Sequence, residues 1–267
     1  MTHKYQLDDL LRIMTQLRHP EHGCPWDKQQ TFASIVPFTL EEAYEVAEAI
    51  ANEDWQELPS ELGDLLFQVV FYAELGREQQ QFDFAEVVNR ICHKLVSRHP
   101  HVFGELVDSS LSEQQLKDNW EQQKALEREA REQTSILADI PKALPALARA
   151  VKIQKRVARV GFDWDELAPV LDKVHEELEE VLAEVEPEQS PSAALTEEVG
   201  DLLFAVANLA RHLGVNPEDA LQQANRKFER RFRGVEQRVA DSGKAFSEHT
   251  LVSLDQFWDD VKRSEIK

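Results

Sequence analysis

The string Gly-Asp-Leu-Leu-Phe occurs twice in this chain, at Gly63–Phe67 and at Gly200–Phe204. Each copy closes the same acidic frame. The first reads Glu41-Glu42-x-x-Glu45, fifteen residues, then Glu61-x-x-Asp64; the second reads Glu176-Glu177-x-x-Glu180, seventeen residues, then Glu198-x-x-Asp201. Further landmarks recur in the same order. Gly23, Trp26 and Asp27 match Gly161, Trp164 and Asp165; Lys94 and Arg98 match Lys227 and Arg231; Leu116, Trp120 and Lys124 match Leu254, Trp258 and Lys262. A unit of this length exceeds a solenoid repeat and has the size of a domain. Two homologous domains in tandem are therefore expected: 1–132, a linker at 133–145, and 146–267. Pro141 and Pro145 punctuate the linker.

Helical spacing runs through both halves. Glycine is scarce, and no alternating strand pattern is present. Leu7, Leu10, Leu11, Met14 and Leu17 form one apolar stripe. A polar loop is expected over Arg18–Gln30, then helices over Leu40–Ala51, from a Ser60 cap to about Leu75, over Phe84–Arg98, and over Leu111–Arg131. The fold class is all-α. After Asp64 and after Asp201 the third helix of each half is apolar almost all round, which predicts burial against a core or a partner subunit.

Acids outnumber bases fifty to thirty, giving a formal net charge of −20. Such a surface repels phosphate backbones and anionic lipid, so nucleic acid polymers and membranes are not expected partners. Cys24 and Cys92 lie far apart in the sequence, without metal or redox spacing, and no leader pattern precedes the first stripe. A reduced cytoplasm is the expected location.

Residues three apart on a helix share a face. Two antiparallel helices would thus bring Glu177, Glu180, Glu198 and Asp201 around one small volume, and Glu42, Glu45, Glu61 and Asp64 around another. Like charges so crowded call for cations, and an all-oxygen ligand set selects a hard cation, magnesium or manganese. Acids in a first helical turn also complement the helix dipole, so any single pair has an ordinary structural explanation. The basic places Lys227 and Arg231, and Lys94 and Arg98, suit either phosphate binding or a salt-bridged surface. Trp120 and Trp258 suit either base stacking or plain packing.

Glu-Glu-x-x-Glu followed at this distance by Glu-x-x-Asp resembles the signature of the all-α nucleoside triphosphate pyrophosphohydrolases. With Gly23–Lys28, Arg98–Phe103 and Val160–Trp164, the doubled pattern is similar to the two-domain form of the MazG family. The resemblance covers essentially the whole chain. It implies four-helix-type domains, a homodimer, and magnesium-dependent conversion of a nucleoside triphosphate to monophosphate and pyrophosphate. It makes Glu177, Glu180, Glu198 and Asp201 metal ligands, with Glu42, Glu45, Glu61 and Asp64 as first-half equivalents. It makes Lys227, Arg231 and Trp258, and Lys94, Arg98 and Trp120, substrate-binding. Glu176 and Glu197 become the spare carboxylates that assist the attacking water. The first half has four more residues between Asp64 and Lys94 than the second has between Asp201 and Lys227. In the first half His99-Pro100-His101 also replaces Phe232-Arg233-Gly234. Both departures favour the second half as the main catalytic domain. A di-iron bundle would instead need Glu-x-x-His on two helices, and an acidic interaction module would not need the basic and aromatic places to recur.

Overall fold

The computed structural model describes residues 4–104, 112, 115, 119–120, 135–185 and 192–265, and every regular element among them is a helix. The chain divides into two compact units, Met1–Glu127 and Arg128–Lys267. The helix expected over Leu111–Arg131 lies largely outside the described residues.

The first unit holds α1 (Leu7–Leu17), α2 (Pro25–Gln29), α3 (Phe32–Ala51), α4 (Leu58–Glu78), α5 (Phe84–Arg98) and α6 (Pro100–Phe103). Three boundaries differ from the sequence expectation. The loop after α1 contains α2. Helix α3 begins at Phe32 rather than Leu40, because Thr31 and Ser34 form a reciprocal capping box. Pro37 then sits inside the helix, at a cost of about 3 kcal/mol. Burial of Ile35, with Phe32 and Phe38 against the same core, offsets that cost. Helix α4 begins at Leu58 and not at a Ser60 cap, since the Asp54 carboxylate takes the N–H groups of Gln56 and Glu57 just ahead of it.

Helices α3 and α4 run antiparallel, tied by Thr39 Oγ1 and Tyr72 Oη at 2.9 Å. Helices α1 and α5 pack on α4. Met14, Ile35, Val70, Phe71 and Leu75 form the closed core. The buried Arg18 guanidinium donates to Glu78 at 2.8 and 2.7 Å and to the Asp27 carbonyl, which satisfies its charge.

The second unit holds α7 (Ala146–Ala158), α8 (Leu167–Ala183), α9 (Ala193–His212), α10 (Pro217–Asp241), a short 3-10 turn (Phe246–Glu248) and α11 (Leu251–Glu265). Ser192 caps α9 and Asn216 caps α10 with their side chains. Helices α7 and α8 pack on α9, while α10 folds back on α11. That hairpin has its own small core of Val235, Val239 and Val261, covered by Leu254, Phe257 and Trp258. Its turn passes through Gly243 at φ 73°, a conformation glycine adopts without strain.

Only part of the all-round apolar character of α4 and α9 is hidden within the chain. Leu62, Leu66 and Val69 on α4, and Leu203, Phe204 and Val206 on α9, remain exposed. No helix among the described residues is long and apolar enough to cross a membrane.

Candidate active site

Antiparallel pairing brings three of the four expected acids together in each unit. Glu177 and Glu180 on α8 and Glu198 on α9 bring carboxylate oxygens within 4.8 Å of one another, and Glu42, Glu45 and Glu61 do the same in the first unit. Asp201 and Asp64 stand one turn further along α9 and α4, outside these tight triples but within reach of their charge. Burial first, then Asp201 and Glu177, hold the Glu198 carboxyl above its ordinary range. Glu180 is raised by burial and then by Glu177. In the first unit, burial and then Asp64 raise Glu42, while burial and then Glu45 raise Glu61. A triple of crowded, oxygen-only donors that resist ionisation suits a hard divalent cation.

A lysine that the sequence reading did not single out meets this cluster. Lys173 Nζ lies 2.6 Å from Glu177 and 2.9 Å from Glu176, and these bonds push its pKa upward. The usable signal was its place four residues before Glu177, one turn away on the same face.

Beside the second triple lies a cavity of about 470 Å³, within the range of small-molecule sites. Glu177, Asp201 and Lys173 contribute to its lining. Ile153, Val157, Phe162, Trp164 and Phe204 supply apolar wall, and Gln154, Asn208 and Arg211 supply polar groups. Asp163 receives hydrogen bonds from Arg211 at 2.5 Å and is 3.1 Å from His212 Nε2, which pins the loop carrying Phe162 and Trp164 to the end of α9. Burial would raise the Asp163 carboxyl, but the bonds to Arg211 and His212 outweigh it and hold it below its ordinary range.

The first unit carries aromatic side chains at the matching places. Aligned on the acids, Phe38 stands for Lys173 and Phe71 for Asn208. Phe71 is fully buried, and Phe38 meets Trp26 edge-on at 5.7 Å. The buried side chain of α1 is Met14, whereas α7 buries Ala150 and Gln154. Both units thus keep an acidic triple; in the second, Lys173 and Asn208 line the cavity beside it at the places where the first has Phe38 and Phe71.

The expected substrate residues of the second unit are brought together with each other on α10 and α11. Arg231 pairs with Glu265 at 2.8 Å, and its guanidinium lies 5.9 Å from the Trp258 ring centroid. Phe228 approaches the same ring at 5.0 Å, and Lys227 is exposed one turn before Arg231. Trp258 is half-buried on the hairpin core, so packing is part of its role. Among the described residues, no hydrogen bond or ion pair joins Lys227 or Arg231 to the acidic triple. In the first unit Lys94 is exposed, Arg98 is half-buried, and Trp120 lies edge-on to His99 at 5.6 Å. His99 and His101 face each other there as rings at 5.6 Å, with no third metal ligand beside them among the described residues. Glu176 and Glu197 are exposed at the rim of the second triple.

Residues 30–103 and 167–235 each match the MazG nucleotide pyrophosphohydrolase domain. The chain is 55% identical over 261 residues to the nucleoside triphosphate pyrophosphohydrolase of Escherichia coli K12, covering 98% of both chains. It is 40% identical over 255 residues to the nucleoside triphosphate pyrophosphohydrolase/pyrophosphatase MazG of Thermotoga maritima, covering 96% of this chain and 95% of that one. A nucleoside triphosphate pyrophosphohydrolase of Mycobacterium tuberculosis is 30% identical over 223 residues, covering 79% of this chain and 64% of its own length.

Proposed function

This chain belongs to the MazG family of nucleotide pyrophosphohydrolases, and on that premise we propose that its second unit carries a magnesium-dependent site that acts on nucleoside triphosphates. The observation that carries this reading is the cavity beside the acidic triple of that unit, lined by Glu177 and Asp201 and by Lys173 and Asn208 where the first unit has Phe38 and Phe71. Water and a nucleoside triphosphate give the monophosphate and pyrophosphate, by cleavage between the α- and β-phosphorus.

Glu177, Glu180, Glu198 and the adjacent Asp201 would hold the cation, magnesium or its substitute manganese; it would neutralise phosphate charge and acidify the attacking water. Glu176, held by Lys173, would accept the proton released by that water, with Glu197 on the neighbouring helix as the second base. Lys173 sets a positive charge in the cavity wall beside the acids, where the phosphates must lie. Lys227 and Arg231 grip the outer phosphates and Trp258 lies against the nucleotide. The cavity takes the base between apolar walls, which suits broad base tolerance and a housecleaning or regulatory role in the nucleotide pool of the cytoplasm. The protein acts as a homodimer, supported by the apolar faces that α4 and α9 leave open.

Chromatography of an ATP or GTP reaction with magnesium tests the chemistry. Monophosphate and pyrophosphate in equal amounts are expected, and none without a divalent cation. Diphosphate and orthophosphate as the main products would refute the reading.

A further inference from the structure

Gln154 is a polar side chain buried where a core residue belongs, with 5% of its surface exposed. Its Nε2 donates to the Phe204 carbonyl at 2.8 Å. That bond fixes the amide, because the flipped orientation would set Oε1 against the carbonyl oxygen. Oε1 is consequently turned away from α9, fully buried and without a hydrogen-bond partner. Gln154 also lines the cavity of the second unit. Asn208 lines the same cavity, and its Oδ1 accepts from Arg211 Nε at 2.9 Å.

We propose that Gln154 Oε1 is the specificity-determining acceptor of the site, taking a hydrogen bond from an N–H on the pairing edge of the nucleobase. This inference rests on the function proposed above. Each standard base carries such a group: the amino group of adenine or cytosine, the ring N–H of guanine, uracil or thymine. One acceptor therefore serves them all and rejects only a base that lacks the donor. A base with the donor gives Oε1 the hydrogen bond it lacks, and a base without the donor forgoes that gain. Tolerance toward many bases then coexists with a definite chemical requirement.

The competing account is that Gln154 merely ties α7 to α9 through the Phe204 carbonyl. Steady-state turnover of ATP against purine riboside triphosphate, which lacks the amino group and any pairing-edge N–H, separates the two. For the unaltered protein kcat/KM should favour ATP by roughly 5- to 100-fold. Gln154→Met, which installs the residue type that α1 buries, should bring that ratio close to one while purine riboside triphosphate is still turned over. CTP against 2-pyrimidinone riboside triphosphate should show the same preference, and this pair decides the matter with unaltered protein if the variant does not fold. Equal rates on both members of each pair, or a preference that survives in Gln154→Met, would overturn the proposal. Pyrophosphate release from none of these nucleotides would instead remove the proposed function beneath it.

Discussion

A triphosphate and Glu265 compete for the Arg231 guanidinium. In the structure Arg231 gives it to Glu265, at 2.8 Å, and Arg230 reaches the same carboxylate at 3.2 Å. The bond from Arg231 holds the Glu265 carboxyl below its ordinary range, so the acid is charged at neutral pH and competes with phosphate. Partly exposed pairs contribute at most about 1 kcal/mol. Glu265→Gln should therefore lower KM for ATP by about two- to fivefold with kcat unchanged, as read from initial rates. An unchanged or higher KM would show that Arg231 does not bind substrate. At this scale the acids were readable from spacing, but the cavity residues were not. Gln154 stands between Lys152 and Lys155, and Lys173 beside Asp172, so both look like solvated surface. Their burial depends on what α9 presents to them, which no local pattern records.

Helix pairs were legible where periodicity and acids agreed, as in α8 and α9. The start of α3 was not, because Pro37 reads as a stop and the capping box six residues earlier is only a short polar pair. The α10–α11 hairpin was recognised as helices, but not as a small core in its own right. That core changes what Trp258 should do. The ring covers Val235, Val239 and Val261 as well as meeting Arg231 and Phe228. Trp258→Ala should lower the melting temperature by several degrees and also raise KM roughly tenfold or more across different nucleotides, through lost stacking of about 1–3 kcal/mol. Both quantities are measurable on one variant. A folded variant with reduced stability and unchanged KM would leave Trp258 as packing alone.

Across the chain the repeat keeps the same helical pair in both units, and the function proposed above assigns catalysis to the second. Both units keep the antiparallel pair with its acidic triple. Met14, Phe38 and Phe71 pack in the apolar core of the first, while Gln154, Lys173 and Asn208 add polar groups to the mostly apolar cavity of the second. The sequence already favoured the second half, from the spacing before Lys94 and from His99 and His101; the aromatic filling is a stronger physical cause, and it lies at positions the repeat does not mark. The exposed apolar residues of α4 and α9, such as Leu66 at 39% and Leu203 at 53%, still need cover. Sedimentation equilibrium at micromolar concentration should report a dimer, and a monomer would remove the proposed assembly.

The central claim is that phosphoryl chemistry belongs to the second unit's triple. Turnover of ATP at saturating magnesium by Glu198→Gln and by Glu61→Gln, measured side by side as pyrophosphate released, tests it. Both changes keep shape and remove one carboxylate charge from equivalent clusters. Glu198→Gln should lose activity by about two orders of magnitude or more, while Glu61→Gln keeps most of it. The reverse pattern, or near-normal turnover by Glu198→Gln, would contradict the account.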